Sequence, residues 1–304
     1  MSAPTPTPRT LRVAITGAAG LIGTALAERL RADGHAVLRV TRSPRRADDV
    51  GWDPARGRLD AARLNGVAAV VHLAGEPIGA RWTAPRKAAI RSSRVDGTRL
   101  LATALAGLET PPQALLSASA VGIYGDRGDE PLDERSAPGT DFLAEVGQAW
   151  EAAAEPAARA GVRVAHPRFG LVLSPEGGAL ARLLPVFRLG GGGRLGGGGQ
   201  WMSWVALADV VEALVFLLQR AELRGAFNLV APEPVTNAEF TRVLARVLGR
   251  PAPFVVPPFA LRLAFGEMAD ATLLAGQRAL PRRLTESGFA FRYPTLEPAL
   301  RAML

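Results

Sequence analysis

Three glycines with a fixed spacing are the first residues of the chain that could take part in chemistry. Gly17, Gly20 and Gly23 form the pattern G-x-x-G-x-x-G, directly after an apolar run and at the start of a segment with helical periodicity. In such a turn the first glycine allows a tight bend, the second lets a pyrophosphate approach the backbone, and the third lets the helix pack closely on the strand. The free N–H groups and partial positive charge of the helix N terminus would then bind the phosphates. The pattern predicts a dinucleotide-binding loop that includes Leu21 and Ile22, whereas an ordinary tight turn is the alternative.

The end of the second apolar run indicates which dinucleotide would bind. An acidic residue at this position would hold the 2′-hydroxyl of NAD, but the chain has Thr41 and Arg42 there, followed by Arg45 and Arg46. The planar guanidinium of arginine suits a 2′-phosphate, so the sequence favours NADP(H) over NAD(H). The alternative is compositional, because 36 residues are basic and Lys87 is the only lysine, which makes arginine common throughout the chain.

The elements that must position these residues follow from the pattern of the first 170 residues. Short, nearly continuous apolar runs end at turn signals, which is typical of strands buried on both faces of a parallel sheet. Helix-like segments separate them, and this alternation predicts an α/β fold with a doubly wound parallel sheet. The expected strands span residues 11–16, 36–40, 67–73, 114–119 and 162–165, and the expected helices span residues 21–32, 84–106 and 142–160.

The pattern changes after residue 171. Residues 190–199 hold two runs of four glycines, which excludes a packed helix because glycine loses much backbone freedom there. We interpret this segment as a mobile loop or as a loop ordered by a ligand. A helix at 207–219 and a strand at 226–230 would return to the sheet, and helices among many prolines follow. The expected organisation is a disordered lead-in at 1–10, a dinucleotide-binding domain at 11–170 and 205–231, and a smaller substrate lobe at 171–204 and 232–304.

Composition excludes several classes of function. The 304 residues include no cysteine, which rules out disulfides, iron–sulfur clusters, thiolate zinc sites and a cysteine nucleophile. Only three histidines are present and they are scattered, so we expect no metal site. The net charge of +8 is dispersed and only 6% of residues are aromatic, so we expect no nucleic-acid partner. No apolar stretch approaches the roughly 20 residues that span a bilayer, and the N terminus has no apolar signal core. We therefore expect a cytoplasmic protein with a small-molecule substrate and without a membrane partner. A homodimer is compatible with the sequence, which does not reveal the oligomeric state.

Further motifs along the chain resemble a known family. The sequences HLAG at 72–75, SAS at 117–119, YG at 124–125 and PR at 167–168 resemble the extended short-chain dehydrogenase/reductases. The sequences LAGEPI at 73–78, SRV at 93–95, SASAVGIYG at 117–125, QWMSW at 200–204 and TNAEF at 236–240 resemble one atypical branch of them. PRR at 281–283, followed by GF at 288–289, also resembles that branch, the NAD-dependent epimerase/dehydratase-like or epimerase family proteins related to human short-chain dehydrogenase family 39U. The resemblance covers residues 11–304.

This resemblance implies a Rossmann domain that binds NADP(H) and a C-terminal substrate lobe. It also implies which residues contact the cofactor. Thr41 and Arg42 would hold the adenosine phosphate, Leu73, Ala74 and Gly75 would end a strand beside the adenine ribose, and Glu76 would bond cofactor hydroxyls. Plain core packing is the other interpretation of Leu73 and Ala74. The remaining contacts implied by the resemblance are Arg94 and Arg168, with Ser117 and Ser119 facing the nicotinamide.

The chain departs from the superfamily at the catalytic centre. Ordinary members pass a proton through a tyrosine followed four residues later by lysine, but alignment places Leu143 and Gly147 at these positions. Ordinary members also use a serine, and of the usual serine, tyrosine and lysine only the serine, Ser119, would remain. Tyr124 is a substitute proton donor or a partly buried tyrosine satisfied by backbone, and Glu76 is a second candidate if burial raises its pKa. The sequence therefore predicts an NADP(H)-dependent oxidoreductase or epimerase acting on a small molecule, with a cofactor-binding sensor that lacks catalysis as the alternative.

The sequence allows two interpretations for each of several other residues near the predicted cleft. Trp201 and Trp204 adjoin the glycine-rich segment and would form either a substrate-pocket wall or core packing between lobes. Arg81 and Lys87 would bind an anionic substrate or remain solvated. A sugar-nucleotide epimerase is less favoured, because such epimerases normally use the missing tyrosine and lysine.

Overall fold

A computed structural model describes residues 10–304 of the protein. The expected disordered lead-in lies outside the described residues, except for residue 10. The strands are β1 (Arg12–Thr16), β2 (Ala36–Thr41), β3 (Val50–Asp53), β4 (Arg58–Leu59), β5 (Ala69–His72), β6 (Ala114–Ser117), β7 (Ser119–Ala120), β8 (Pro131–Leu132), β9 (Arg163–Phe169), β10 (Leu171–Leu173), β11 (Gly193–Leu195), β12 (Trp201–Met202), β13 (Trp204–Ala206), β14 (Gly225–Leu229), β15 (Val235–Thr236), β16 (Phe254–Val256) and β17 (Arg278–Ala279).

Helices cover the sheet and build the C-terminal part of the chain. They are α1 (Leu21–Ala32), α2 (Ala84–Ala106), α3 (Phe142–Ala152), α4 (Glu155–Arg159), α5 (Gly178–Arg188), α6 (Leu207–Gln219), α7 (Asn237–Leu248), α8 (Pro258–Phe265), α9 (Arg282–Glu286) and α10 (Leu296–Met303). Short 3-10 turns span Pro54–Arg56, Ala61–Leu64 and Val121–Tyr124, and a π-helical turn spans Ala269–Leu273.

The main sheet confirms the expected doubly wound α/β fold. Its strand order is β14-β9-β6-β5-β1-β2-β3-β4, with β7 also paired to β9. All of these pairs are parallel except β3 with β4. Strand order reverses between β1 and β5, and ligands of such sheets bind beyond the carboxyl ends of the strands at this switch point.

The alternation of side chains along β1 separates two apolar cores. Val13 and Ile15 pack with residues of α1 and α6, whereas Ala14 faces the opposite side of the sheet with residues of α2. All three are at most 1% exposed. Because both faces of the strand are covered, an apolar residue is favoured at every position, which explains the continuous apolar run.

Three segments differ from the sequence expectation. The expected strand 114–119 is divided at Ala118 into β6, which pairs with β5 and β9, and β7, which pairs with β9. The expected helix 142–160 divides into α3 and α4, because Pro156 in the first turn of α4 has no N–H for a continuous helix. The glycine-rich segment contains the short strand β11, which pairs with β16.

The C-terminal part packs around its own apolar cluster, which includes Leu184, Trp204, Phe240, Leu244 and Leu300. Four short two-stranded pairs support it: β10 with β13, β11 with β16, β12 with β15, and β17 with β8. The last pair joins the end of the chain to a strand inside the expected dinucleotide-binding domain. Within residues 10–304, every helix is too short or too polar to cross a membrane.

Candidate functional site

The glycine turn after β1 forms an open cradle at the switch point. Gly17 has φ +67°, a conformation that favours glycine, and a Cβ there would lie 3.0 Å from Ala74 N. A Cβ on Gly23 would lie 2.2 Å from Gly17 O, so this glycine lets α1 pack on the turn. A Cβ on Gly20 would meet only Gly17 O, at 3.3 Å, and this residue is exposed. The turn is therefore closed at Gly17 and Gly23 and open to a ligand at Gly20.

The N terminus of α1 is free to bind an anion. Gly20 is its N-cap, no side chain caps it, and its first turn carries no acidic residue. The first N–H groups of a helix lack intrahelical acceptors and carry partial positive charge. The half-buried Leu21 and Ile22 belong to this first turn. The cradle therefore fits the diphosphate of a dinucleotide.

The loop after β2 gathers arginines around a buried aspartate. Asp49, 0% exposed, accepts two 2.8 Å hydrogen bonds from the guanidinium of Arg39 and further bonds from the N–H groups of Arg45 and Arg46. The hydrogen bonds from Arg39 and the backbone hold the pKa of Asp49 far below its usual range. Arg42 is exposed in this loop and pairs with no carboxylate within residues 10–304. Asp49 thus fixes the loop that presents the guanidinium of Arg42 beside Thr41.

A buried polar network fixes the end of β5. Thr16 Oγ1 accepts the N–H groups of Leu73 (3.0 Å) and Ala74 (3.1 Å) and lies 2.7 Å from His72 Nδ1. His72 Nε2 lies 2.9 Å from Thr98 Oγ1. Because Thr16 accepts two backbone N–H groups, its own hydroxyl donates to Nδ1, and the neutral imidazole carries its proton on Nε2. Burial lowers the pKa of His72 to about 4, so the ring stays neutral at physiological pH. This network holds Leu73 and Ala74 against the glycine turn.

Arg94 places a second cation beside the switch point. Its guanidinium carbon would lie 3.4 Å from a Cβ on Gly75, and Nη1 donates to Glu76 O and Ile90 O. It also lies over the Trp150 ring, 5.0 Å from the centroid. Burial lowers the pKa of Arg94 to about 10, which keeps the group charged at neutral pH. No carboxylate is within salt-bridge distance among the residues described, so the charge is available to a ligand.

The Glu76 side chain is engaged elsewhere. Its Oε1 lies 2.7 Å from Arg86 Nη1, and its backbone N–H donates to Ser93 Oγ. The carboxylate is therefore held by Arg86 on the loop after β5.

Ser119 at the start of β7 is bonded to Glu151 of α3. Ser119 Oγ donates a 2.6 Å hydrogen bond to Glu151 Oε1, and Arg168 donates to both oxygens of this carboxylate at 2.7 and 2.9 Å. Burial alone would raise the pKa of Glu151, but the hydrogen bonds and charge of Arg168 lower it below the ordinary value. Ser119 is 1% exposed. Its hydroxyl is therefore oriented by an anion and not offered to the cleft.

Ser117 precedes it in β6 and has a different environment. Its side chain is fully buried, and its Oγ has no hydrogen-bond partner in the described part of the chain. Nδ1 of the neighbouring His166 is also buried without a partner, and burial lowers the pKa of His166.

Tyr124 lies under the site with both hydrogen-bonding capacities of its hydroxyl in use. The side chain is 0% exposed. Its Oη accepts from Arg168 Nη1 at 2.8 Å and donates to Asn228 Oδ1 at 2.7 Å. Burial raises the pKa of Tyr124 despite the nearby charge of Arg168. This geometry favours a positioning role for Tyr124. The partners of its hydroxyl are side chains and not the backbone groups expected from the sequence.

The two positions of the missing tyrosine and lysine are filled by packing. A Cβ on Gly122 would lie 3.7 Å from Leu143, which joins an apolar cluster with Trp82. A Cβ on Gly147 would lie 3.0 Å from Ile123 Cβ, so the helix lies too close to Ile123 for a longer side chain without a shift. The packing of α3 is thus adapted to Leu143 and Gly147 in place of the usual tyrosine and lysine.

The structure brings most of the expected residues to one edge of the sheet. The glycine turn, the ends of β2 and β5, Arg94 and the end of β6 surround the switch point. Trp204 is 0% exposed and belongs to the C-terminal core, whereas Trp201 is half-buried and donates to Asp129. Sequence reasoning missed Glu151, Asp49, Thr16 and Asn228 as site residues. Of these four residues, only Glu151 could have been found from the sequence, because it lies eight residues after Leu143, which aligns with the usual tyrosine.

Comparisons with known proteins show which family the chain resembles. A model described as "NAD dependent epimerase/dehydratase family" matches residues 13–229, and a domain of unknown function, DUF1731, matches residues 256–303. "Epimerase family protein MT2273" of Mycobacterium tuberculosis is 46% identical over 95% of this chain and 96% of its own length. The chloroplastic "Epimerase family protein SDR39U1 homolog" of Arabidopsis thaliana is 41% identical over 97% of this chain and 87% of its own.

Two solved structures extend the comparison. Human epimerase family protein SDR39U1, crystallised with NADPH, superposes with a TM-score of 0.89 at 34% identity, covering 96% of this chain and 99% of its own. A nucleoside-diphosphate sugar epimerase from Corynebacterium glutamicum superposes with a TM-score of 0.82 at 38% identity, covering 97% of this chain and 58% of its own.

Proposed function

The chain belongs to the NAD-dependent epimerase/dehydratase family, and we propose that it binds NADP(H) as an atypical short-chain dehydrogenase acting on a small molecule. The observation that best supports this proposal is the open cradle at Gly20. There the N terminus of α1 has no side-chain cap, and Gly17 and Gly23 in the same turn leave no room for a side chain. The human relative crystallised with NADPH supports the choice of ligand.

The preference for the phosphorylated cofactor rests on the loop after β2. Arg42 is exposed there with no carboxylate partner in residues 10–304, and Asp49 fixes the loop. A free guanidinium recognises a phosphate through paired hydrogen bonds. Thr41 at the end of β2 leaves the position without an acidic group for the 2′-hydroxyl of NAD(H).

Residues along the cleft would hold the rest of the cofactor. We propose that Leu73, Ala74 and Gly75 contact its adenosine half through backbone fixed by Thr16, and that Arg94 contributes charge. Glu76, paired with Arg86, would accept from cofactor hydroxyls. The full set of proposed cofactor contacts is Gly17, Gly20, Leu21, Ile22, Gly23, Thr41, Arg42, Leu73, Ala74, Gly75, Glu76, Arg94, Ser117 and Arg168.

The reacting end of the site would lie beyond β6 and β7. The nicotinamide, when bound, supplies or accepts a hydride. Arg168 holds Glu151 as a carboxylate, and Glu151 orients the Ser119 hydroxyl. Arg168 also bonds Tyr124, so the four side chains form one rigid support for the strand end that faces the reacting carbon.

Calorimetric titration of the full chain with NADPH, NADP⁺ and NADH tests the proposal. We expect micromolar or tighter binding of NADPH and at least tenfold weaker binding of NADH. Equal affinities would overturn the NADP(H) preference, and no heat with any of the three would overturn the proposed function.

A cofactor-binding sensor without catalysis is the second candidate. It is favoured by Leu143 and Gly147, because packing at both positions opposes the usual tyrosine and lysine. Tight NADPH binding, with no turnover of aldehydes, ketones or quinones in a panel, would favour this candidate.

Three sequence expectations stay predictions. The division into a domain at 11–170 and 205–231 and a lobe at 171–204 and 232–304 is testable by limited proteolysis. The homodimer is testable by sedimentation equilibrium, and the cytoplasmic location by cell fractionation.

A further inference from the structure

Six apolar side chains form a wall beside the proposed site of reaction. We call Ile78, Trp82, Phe142, Leu143, Phe265 and Met268 the apolar wall; all belong to one packed cluster. They come from the loop after β5, the start of α3 and the segment from α8 to the π-helical turn. Trp82 and Phe142 pack edge to face, with ring centroids 5.3 Å apart. Ile78, Phe142, Leu143 and Phe265 are only half-buried, so part of each of these side chains is accessible.

The wall adjoins the strand end that would face the nicotinamide. Leu143 lies against Gly122, whose Cβ would be 3.7 Å away. Gly122 belongs to the 3-10 turn that directly follows β7. A ligand that reaches the end of β7 therefore meets Leu143, where most relatives of the superfamily would present a tyrosine hydroxyl.

Of the two cations beside the wall, one is paired with a carboxylate and the other is bonded to a backbone carbonyl. Lys87 Nζ lies 2.7 Å from Glu267 Oε1 and 4.4 Å from the Phe142 ring centroid. Arg81 Nη1 donates to Leu263 O at 2.7 Å. A diphosphate group binds through charge-assisted hydrogen bonds, which apolar side chains cannot supply. Because all six side chains of the wall are apolar, it suits an uncharged apolar ligand better than a nucleotide sugar.

The hydroxyl groups near the reacting end are engaged as well or enclosed. Ser119 donates to Glu151, and Tyr124 donates to Asn228. Ser117 Oγ has no partner in the described residues, but its side chain is 0% exposed. General acid catalysis contributes about 10²–10⁴-fold when a positioned donor protonates the substrate. None of these three hydroxyls is offered free to the cleft, which favours a substrate that accepts hydride without a protein acid.

These observations point to one class of substrate. Resting on the proposed NADP(H) function, we propose that the site reduces an apolar quinone whose ring packs on the apolar wall. A hydride, carrying two electrons, leaves the reduced nicotinamide and bonds to an electron-poor atom of the quinone, so NADPH is oxidised and the quinone reduced. Because the resulting hydroquinone anion is stable, water supplies the remaining proton afterwards, with no acid needed in the transition state. An ordinary ketone would give an unstable alkoxide without a donor.

Binding to the full chain saturated with NADP⁺, which cannot reduce the ligand, tests the proposal without turnover. Menadione is a suitable probe, since the chain has no cysteine that could form an adduct with it. We expect micromolar menadione affinity by calorimetry and no measurable heat from UDP-glucose. Leu143→Asp should weaken menadione at least tenfold and leave NADP⁺ affinity unchanged. The matched control is Leu189→Asp, at a leucine that is 88% exposed on the C-terminal part of the chain, and it should change neither affinity.

Turnover gives a second readout. Menadione reduction by NADPH should be nearly independent of pH between 6 and 8, because no protein acid takes part. Binding of UDP-glucose in preference to menadione, or unchanged menadione affinity in Leu143→Asp, would overturn the quinone proposal while NADP⁺ binding persists. Failure to bind NADP⁺ itself would instead overturn the proposed function, so the two failures are distinguishable.

Discussion

The hydroxyl of Ser119 and the carboxylate of Glu151 are joined by a 2.6 Å hydrogen bond that links β7 to α3. Arg168 holds the same carboxylate with two hydrogen bonds, and both members of this ion pair are largely buried, with side chains 11% and 16% exposed. The bond therefore belongs to a buried charged cluster, and its integrity decides how the strand end is positioned.

Replacing Glu151 tests this cluster. Glu151→Gln keeps the size of the side chain but leaves the buried Arg168 charge without compensation. Breaking a buried pair in this way costs about 3 kcal/mol of unfolding free energy, measurable by urea denaturation. Glu155→Gln is the control, because its ion pair with Arg159 is exposed and such changes stay within about 0.5 kcal/mol. A Glu151→Gln variant as stable as the parent would show that the cluster does not hold the strand.

Replacing Arg42 tests the choice of cofactor. Loss of a hydrogen bond to a charged group costs about 1.5–3 kcal/mol, which is about ten- to a hundredfold in affinity. Arg42→Ala should therefore weaken NADPH by that factor and leave NADH almost unchanged, as measured by calorimetry. Arg159→Ala, on the exposed surface of α4, should alter neither titration. Equal weakening of both cofactors would assign Arg42 to a part of the ligand that they share.

The glycine turn allows a paired test at two positions three residues apart. Gly20→Val places a branched side chain in the open cradle, so dinucleotide binding should be abolished while the circular dichroism spectrum is preserved. Gly23→Ala introduces a Cβ 2.2 Å from Gly17 O, and overpacking of this kind costs about 1–3 kcal/mol. We expect a binding defect from the first substitution and a stability defect from the second. Unchanged NADPH affinity in Gly20→Val would mean that the glycines serve the fold alone.

The fold and the glycine turn could be predicted because their signals are local. The continuous apolar run of β1 and the glycines that follow it lie within 12 consecutive residues, and each reports its own burial or backbone geometry. The break before Pro156 also had a local signal, since proline lacks the N–H that a continuous helix needs, but the expected helix at 142–160 ignored it and was wrong there.

The reacting end could not be predicted because its partners are distant in sequence. Ser119 meets Glu151 across 32 residues, and Tyr124 meets Asn228 across 104. A serine or tyrosine looks the same in sequence whether its hydroxyl is free or engaged. The pairing of β11 with β16 could not be predicted either. A run of glycines carries no side-chain pattern from which the register could be inferred.

The buried His72 makes stability depend on pH. Its pKa is about 4 in the folded protein against 6.5 in the unfolded chain, so the unfolded chain binds more protons between these values. Its contribution is fully present above pH 6.5 and is lost as pH falls toward 4. Between pH 7 and pH 5 this linkage lowers the unfolding free energy by about 2 kcal/mol. His72→Asn should be less stable at pH 7 and should lose that part of the pH dependence in urea denaturation, whereas His35→Asn at a half-buried position should retain it.

Replacing Tyr124 distinguishes a proton donor from a positioning residue. Tyr124→Phe keeps the ring but leaves Arg168 Nη1 and Asn228 Oδ1 without their shared partner. An unsatisfied buried group costs about 1–3 kcal/mol, so we expect reduced stability with nearly unchanged NADPH affinity. Because the hydroxyl is enclosed and already donates to Asn228, we also expect the kcat for menadione to fall by less than tenfold. A loss of about 10²-fold or more, the scale of general acid–base catalysis, with unchanged stability would instead make Tyr124 the proton donor and the acid-free mechanism wrong.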